Sequence, residues 1–202
     1  MLADRRRRIV LLAQYAILTA LVVVMQLLSN ALSFGPVQFS LSLIPLVVGA
    51  ILVGPLCSAY LGFVLGIVNL ISSFANPVLT YLFHSSPVLY VLTCVGKTVL
   101  AGLAAGLLFK VMKNRNEWVG VLLAAVAAPV VNTGVFFVMM VLFFQPAIAE
   151  ACQLDSSVNV VSFVITGFIT FNFFIELGLN VLLAPAFNGI LKGVRKARRH
   201  SD

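Results

Sequence analysis

Charge is what this sequence has least of. Asp, Glu, Lys and Arg make up 9% of the 202 residues, while hydrophobic residues make up 61%; an ordinary soluble domain carries about 25% charged residues. A globule of this size with so few charges cannot cover its surface in water. A soluble enzyme, a nucleic-acid-binding domain and a disordered chain are therefore excluded together. Cysteine is also scarce. Cys57, Cys94 and Cys152 share no CxxC spacing, which supports neither a metal site nor a disulfide framework. The short alternating segments of an outer-membrane barrel are missing too. What remains is long, unbroken apolar runs with a mean hydropathy of +1.12. They mark an all-α integral membrane protein, a single domain over residues 1–202. At about 20 residues per helical span, the chain has room for roughly six.

The net charge of +7 is concentrated rather than spread. Arg5, Arg6, Arg7 and Arg8 precede the first apolar run. Lys110, Lys113 and Arg115 fall in one short stretch, and Lys192, Arg195, Lys196, Arg198 and Arg199 lie in the basic tail of residues 192–202. Basic clusters of this kind mark cytoplasmic segments and contact anionic lipid, so no nucleic-acid partner is implied. The run after Arg8 is longer than a signal-peptide core and lacks a small-x-small cleavage site, so it reads as a retained span. Spans are expected at about residues 9–29, 41–53, 58–73, 88–109, 119–144 and 160–183. Residues 30–40, 74–87 and 145–157 then form outer loops. Six spans put all three basic clusters, and both termini, on the cytoplasmic side. The second span is short and ends at Gly54-Pro55; it is either a short crossing or half of a re-entrant pair with the third.

Two charges interrupt the apolar runs. Lys97 lies inside span four and Glu176 inside span six, and a buried charge in a membrane has a partner or a task. Either the two neutralise each other and lock two helices, or Lys97 meets an anionic ligand group while Glu176 acts further in. Asn132 with Thr133, Asn172 with Thr170, and Asn69 supply amides and hydroxyls at comparable depth. Each alone is interhelical glue; converging on a lysine, they outline a ligand cavity. Gly96-Lys97-Thr98 is not a phosphate-binding loop, because Val91 stands where that motif needs glycine. The chain thus has no nucleotide-hydrolysing motif or cofactor of its own, and any ATP-driven work belongs to other subunits. His84-Ser85-Ser86 lacks an acid beside it, so it reads as part of a lid rather than a catalytic set.

Small residues recur at four-residue spacing in Ala16-xxx-Ala20, preceded by Ala13, and in Gly62-xxx-Gly66 and Gly102-xxx-Gly106. Such stripes allow close helix approach. The glycine pairs are expected to pack internally and the alanine stripe to face another membrane protein.

Read in order, AILTALVVVMQLLSN (Ala16 to Asn30), FSLSLIPLVVGAILVGPLCSAYLGFVLGIVNLI (Phe39 to Ile71), ANPVLTYLFHSSP (Ala75 to Pro87), VVNTGVFFVMMVLFF (Val130 to Phe144) and FNFFIELGLNVLLAP (Phe171 to Pro185) resemble the substrate-binding S components of energy-coupling factor (ECF) vitamin transporters. The resemblance implies a six-helix subunit of the bacterial cell membrane that captures a micronutrient from outside. It would dock on a transmembrane coupling subunit that carries two cytoplasmic ATPases. Ala13, Ala16 and Ala20 would face that subunit. Lys97, Asn132, Asn172 and Glu176, with Asn76, His84 and Ser85 of the loop between spans three and four, would meet the substrate. The segments look most like pantothenate-specific members, and a carboxylate ligand suits a lysine among asparagines. Two other classes stay open: a self-sufficient secondary transporter of a small anion, with Glu176 as its one deep acid, and a membrane assembly protein without a ligand.

Overall fold

Proline and asparagine set where the helices begin. Pro55, Pro77 and Pro87 each open a helix, where a missing N–H costs nothing and a fixed φ suits the first turn. Asn76, Asn116 and Asn159 cap the helices after them, each side-chain oxygen accepting from two backbone N–H groups. The computed structural model describes residues 2–31, 41–155 and 157–199. In chain order it contains α1 (Leu2–Ala31), α2 (Leu43–Leu52), α3 (Pro55–Ser73), α4 (Pro77–Ser85) and α5 (Pro87–Met112). These are followed by α6 (Glu117–Phe143), α7 (Gln145–Ala151), α8 (Val160–Phe163) and α9 (Thr170–Arg199), a π-helical segment Val164–Ile169 joining the last two. No strand occurs among the described residues.

Five stretches are long and apolar enough to cross a bilayer: Arg8–Ala31, Pro55–Ser73, Pro87–Met112, Glu117–Phe143 and Val160–Val194. The expected second span is only the 10-residue α2, about 15 Å of helix against a hydrocarbon core of about 30 Å. It does not cross by itself. It lies inside the bundle instead, packed on α1, α3, α5, α6 and α9, with Leu43, Leu46, Val47 and Ala50 fully buried. Gly54, at φ +131°, turns the chain from α2 into α3 through a conformation that other residues rarely adopt. Two expected loops also need correction. Residues 74–87 contain α4 and residues 145–157 contain α7, because Asn76-Pro77 and Pro146 start helices. Most of the expected first loop, residues 32–40, lies outside the described residues.

The start of α1, the α5–α6 turn and the end of α9 carry the basic clusters, and the up-and-down connectivity gathers them at one end of the bundle. At the other end lie α4 and α7. Along the length, α3 and α5 are joined by backbone contact. A methyl group added at Gly62 would collide with the Thr98 carbonyl, at Gly66 with the Val95 backbone, at Gly102 with the Ser58 carbonyl and at Gly106 with Pro55. The two glycine pairs pack internally, as expected.

The apolar core is divided. One cluster surrounds α2 toward the basic end and includes Ala105, Phe109, Val121, Ala124, Ala125, Ala128, Ala184, Phe187 and Leu191. A second sits at the opposite end, built from Leu79 and Leu82 of α4, Tyr90 and Cys94 of α5, Met140 and Phe144 beside α7, Ile148, and Val164. At the far end of α1 a polar clasp ties three segments. The Ser42 hydroxyl donates to Gln26 at 2.7 Å, the Gln26 amide to Asn30 at 3.0 Å, and the Asn30 amide to Ser72 at 2.7 Å.

Candidate functional site

Three helices pass from one apolar cluster to the other, and each is polar in between. On α5, Lys97 lies between Cys94 and Ala101, both buried. On α6, Asn132 lies between Ala128 and Met140. On α9, Asn172, Glu176 and Asn180 lie between Val164 and Ala184. The bundle therefore has a polar band across its middle, with apolar packing on both sides. Lys97 stands ten residues into α5, about 15 Å from its first residue at helical rise.

The Lys97 side chain is half-buried, and its Nζ lies 4.7 Å from the centroid of the Phe136 ring, one turn beyond Asn132 on α6. That is cation–π distance. The contact the structure gives the ammonium is thus with α6. Asn132 is 7% exposed, Glu176 5% and Asn180 1%, and Asn172 is half-buried. The Asn180 amide donates to the Glu176 backbone carbonyl at 2.9 Å. Nearby hydroxyls are satisfied on their own helices: Thr93 donates to the Leu89 carbonyl at 2.7 Å, and Thr98 to the Val95 carbonyl at 3.0 Å. On the α9 side, the Thr170 hydroxyl reaches the Ile165 carbonyl, five residues back, at 2.8 Å. That spacing follows the wider π turn of Val164–Ile169, a local unwinding frequent at functional sites. It directly precedes Asn172.

Aromatic rings and two short helices close the band at the far end. Phe74, Phe83, Tyr90 and Phe144 form a chain of edge-on contacts at 5.0, 6.1 and 6.2 Å. The Tyr81 hydroxyl of α4 lies beside the Glu150 carboxylate of α7, which holds the Tyr81 pKa above the ordinary phenol value. Burial pushes up the Cys152 thiol just past α7. Asn76, expected near a ligand, instead uses its side-chain oxygen to cap α4, accepting from Val78 and Leu79 N–H at 3.0 and 3.4 Å. His84 and Ser85 are exposed at the end of α4, with the His84 ring 5.8 Å from Phe83. None of these three joins the polar band.

Lys97, Asn132, Asn172 and Glu176 all lie on helix stretches between the two apolar clusters, and two further residues of those stretches escaped the sequence reading. Phe136 lies in an apolar run, where one more aromatic residue carries no signal of its own. Asn180 had a signal, since Asn172, Glu176 and Asn180 recur every four residues and so share one face of α9. On α1, Ala13, Ala16 and Ala20 are all exposed. They sit beside Ile9, Leu12, Ile17 and Val24, which are more than two-fifths exposed.

Comparison with curated proteins and with solved structures finds no match. The family described as ECF transporter, substrate-specific component, matches residues 10–187, a stretch that runs from the first turns of α1 past the polar band to the inner part of α9. The chain belongs to the family of ECF transporter substrate-specific components, membrane subunits that bind a small molecule for a transporter complex and are not enzymes.

Proposed function

We propose that this subunit captures an anionic vitamin-type micronutrient, pantothenate before others, from outside the bacterial cell membrane for ATP-driven uptake. The observation that carries the reading is the Lys97 ammonium, half-buried about 15 Å along α5 and lying against α6, the helix that bears Asn132. A charge held there needs a task. Pantothenate offers a carboxylate for the lysine, and an amide and hydroxyls for the asparagines.

In this reading the basic end and both termini are cytoplasmic, by the positive-inside rule. The α4–α7 end faces outside, and α2, recessed beside α3, is the sixth of the membrane segments. The exposed alanine stripe of α1 meets the coupling subunit, and the two ATPases bound to that subunit hydrolyse the ATP. Asn172 and Glu176 line the ligand's inner side, while Asn76, His84 and Ser85 belong to the covering segment.

The test is calorimetry and thermal shift on the purified protein against a vitamin panel. Pantothenate is expected to stabilise the fold by about 4 kcal/mol at a concentration about 1,000-fold above its dissociation constant. Lys97→Ala should abolish the shift. A different vitamin binding in its place would overturn the substrate; no shift with any would overturn capture.

A further inference from the structure

The two sides of the polar band differ in what they offer a ligand. The α5 side offers a cation. The α6–α9 side offers acceptors: Asn132 Oδ1 and Asn180 Oδ1 are buried and have no hydrogen-bond partner among the described residues. Both side chains are more than nine-tenths buried, at 7% and 1% exposure. The Asn180 amide nitrogen is held by its bond to the Glu176 backbone carbonyl, which leaves Oδ1 as the unused polar atom of the side chain. Glu176, 5% exposed, adds a carboxylate to the same face.

The acceptors lie on two helices that pack against each other. Helices α6 and α9 are antiparallel. Their register is bracketed by Met140 and Phe144 sharing one apolar cluster with Val164, and by Ala124 and Ala128 sharing the other with Ala184 and Phe187. Between those anchors Asn132 falls opposite the stretch of α9 that runs from Asn172 to Asn180. Buried polar atoms in native proteins are almost always hydrogen-bonded, so two such acceptors on one seam call for donors brought by something that enters.

We infer that the ligand is two-ended, its anionic group on Lys97 and hydroxyl or N–H donors turned to the acceptor seam of Asn132 and Asn180. The inference rests on the capture reading above and deepens it. A dicarboxylate would set its second anion against Glu176, and a purely apolar tail would leave both amide oxygens unsatisfied. The favoured class is a monocarboxylate whose far end carries hydroxyls.

The test uses three probes on the full-length protein: pantothenate; pantothenol, in which the carboxylate is replaced by an alcohol; and N-(3,3-dimethylbutanoyl)-β-alanine, which keeps the carboxylate, the amide and the carbon skeleton but lacks both hydroxyls. In the wild type, loss of the hydroxyls should weaken binding about tenfold or more, the usual size for a buried hydrogen bond. In Asn180→Leu and Asn132→Leu that penalty should fall to about twofold, while the pantothenol penalty persists. Lys97→Met should show the reverse pattern. Asn180→Asp keeps an acceptor and should keep the hydroxyl penalty, which guards against a leucine variant that misfolds. An equal hydroxyl penalty in the wild type and both leucine variants would overturn the inference while leaving capture intact. Failure of the wild type to bind any of the three would overturn the pantothenate reading, and this inference with it.

Discussion

The Lys97 ammonium rests on the face of Phe136, 4.7 Å from the ring centroid. A ring face attracts a cation without neutralising it, so the lysine is positioned and still carries its charge for an incoming anion. Phe136→Leu should therefore weaken anion binding by about three- to tenfold, within the usual cation–π range. Lys97→Met should weaken it by about tenfold or more, as for loss of a charged hydrogen bond. Calorimetric titration with pantothenate reads both; a Phe136→Leu loss as large as that of Lys97→Met would mean that the ring does more than position the ammonium.

The α3–α5 seam gives a stability prediction with an internal control. Gly62→Ala and Gly102→Ala each drive a methyl group into a backbone carbonyl of the facing helix, and overpacking of this kind costs about 1–3 kcal/mol. Gly134→Ala on α6 meets open space and should be neutral or stabilising by a few tenths of a kcal/mol. Thermal denaturation in detergent should separate the first two from the third.

The exposed stripe on α1 predicts a split between binding and transport. Ala16→Leu and Ala20→Leu touch no packed surface, so ligand binding by the isolated subunit should be unchanged. Uptake by the assembled complex should fall about tenfold or more, the effect of overpacking a close helix contact. Equal uptake by variant and wild type would remove α1 as the docking helix.

The Tyr81–Glu150 contact has a pH dependence of definite sign. The Glu150 carboxylate raises the Tyr81 pKa above the ordinary phenol value, so its contribution is fully present below about pH 10 and is lost as pH rises through the folded value. The difference in Tm between the wild type and Tyr81→Phe should stay constant from about pH 6 to 9 and shrink only above about pH 10. A difference that shrank inside the neutral range would contradict the assignment.

Orientation can be read from one thiol. Cys152 is half-buried beside α7, while Cys57 and Cys94 are buried in the bundle. A membrane-impermeant maleimide should label Cys152 in intact cells, faster at higher pH, because burial raises its pKa and the thiolate is the reactive form. Labelling only after lysis would reverse the orientation.

Long apolar runs made α1, α3, α5, α6 and α9 legible, since nothing else in a short chain buries so many consecutive hydrophobic residues. The helices α4 and α7 were not. Their polar and proline content reads as loop, although Asn76-Pro77 is also a cap followed by a first-turn proline, which is a start signal. The shortness of α2 could be read at Gly54-Pro55; its central burial could not, because a helix apolar on every side looks the same whether lipid or protein surrounds it. In the polar band, Lys97 and Glu176 stand out because charge is costly in apolar runs. Phe136 does not, since the ring's role depends on a lysine 39 positions earlier in the chain, brought to it only by folding. Asn76 carries a signal of another kind: its side-chain oxygen caps its own helix, a local role the Asn-Pro pair already announces.

The glycine seam also decides which side of the band is mobile. With four glycines letting α3 and α5 touch backbone to backbone, the side that bears Lys97 behaves as a single slab. On the other side, α9 carries a π turn above the asparagines and Pro185 below them, so its hydrogen-bond ladder is interrupted twice. Any breathing of the bundle should therefore be one-sided, larger on the α9 side than on the side that bears Lys97. Admission and release of a molecule would then be timed by the acceptor side alone, with amide protons exchanging fast near Asn172 and slowly around Thr98.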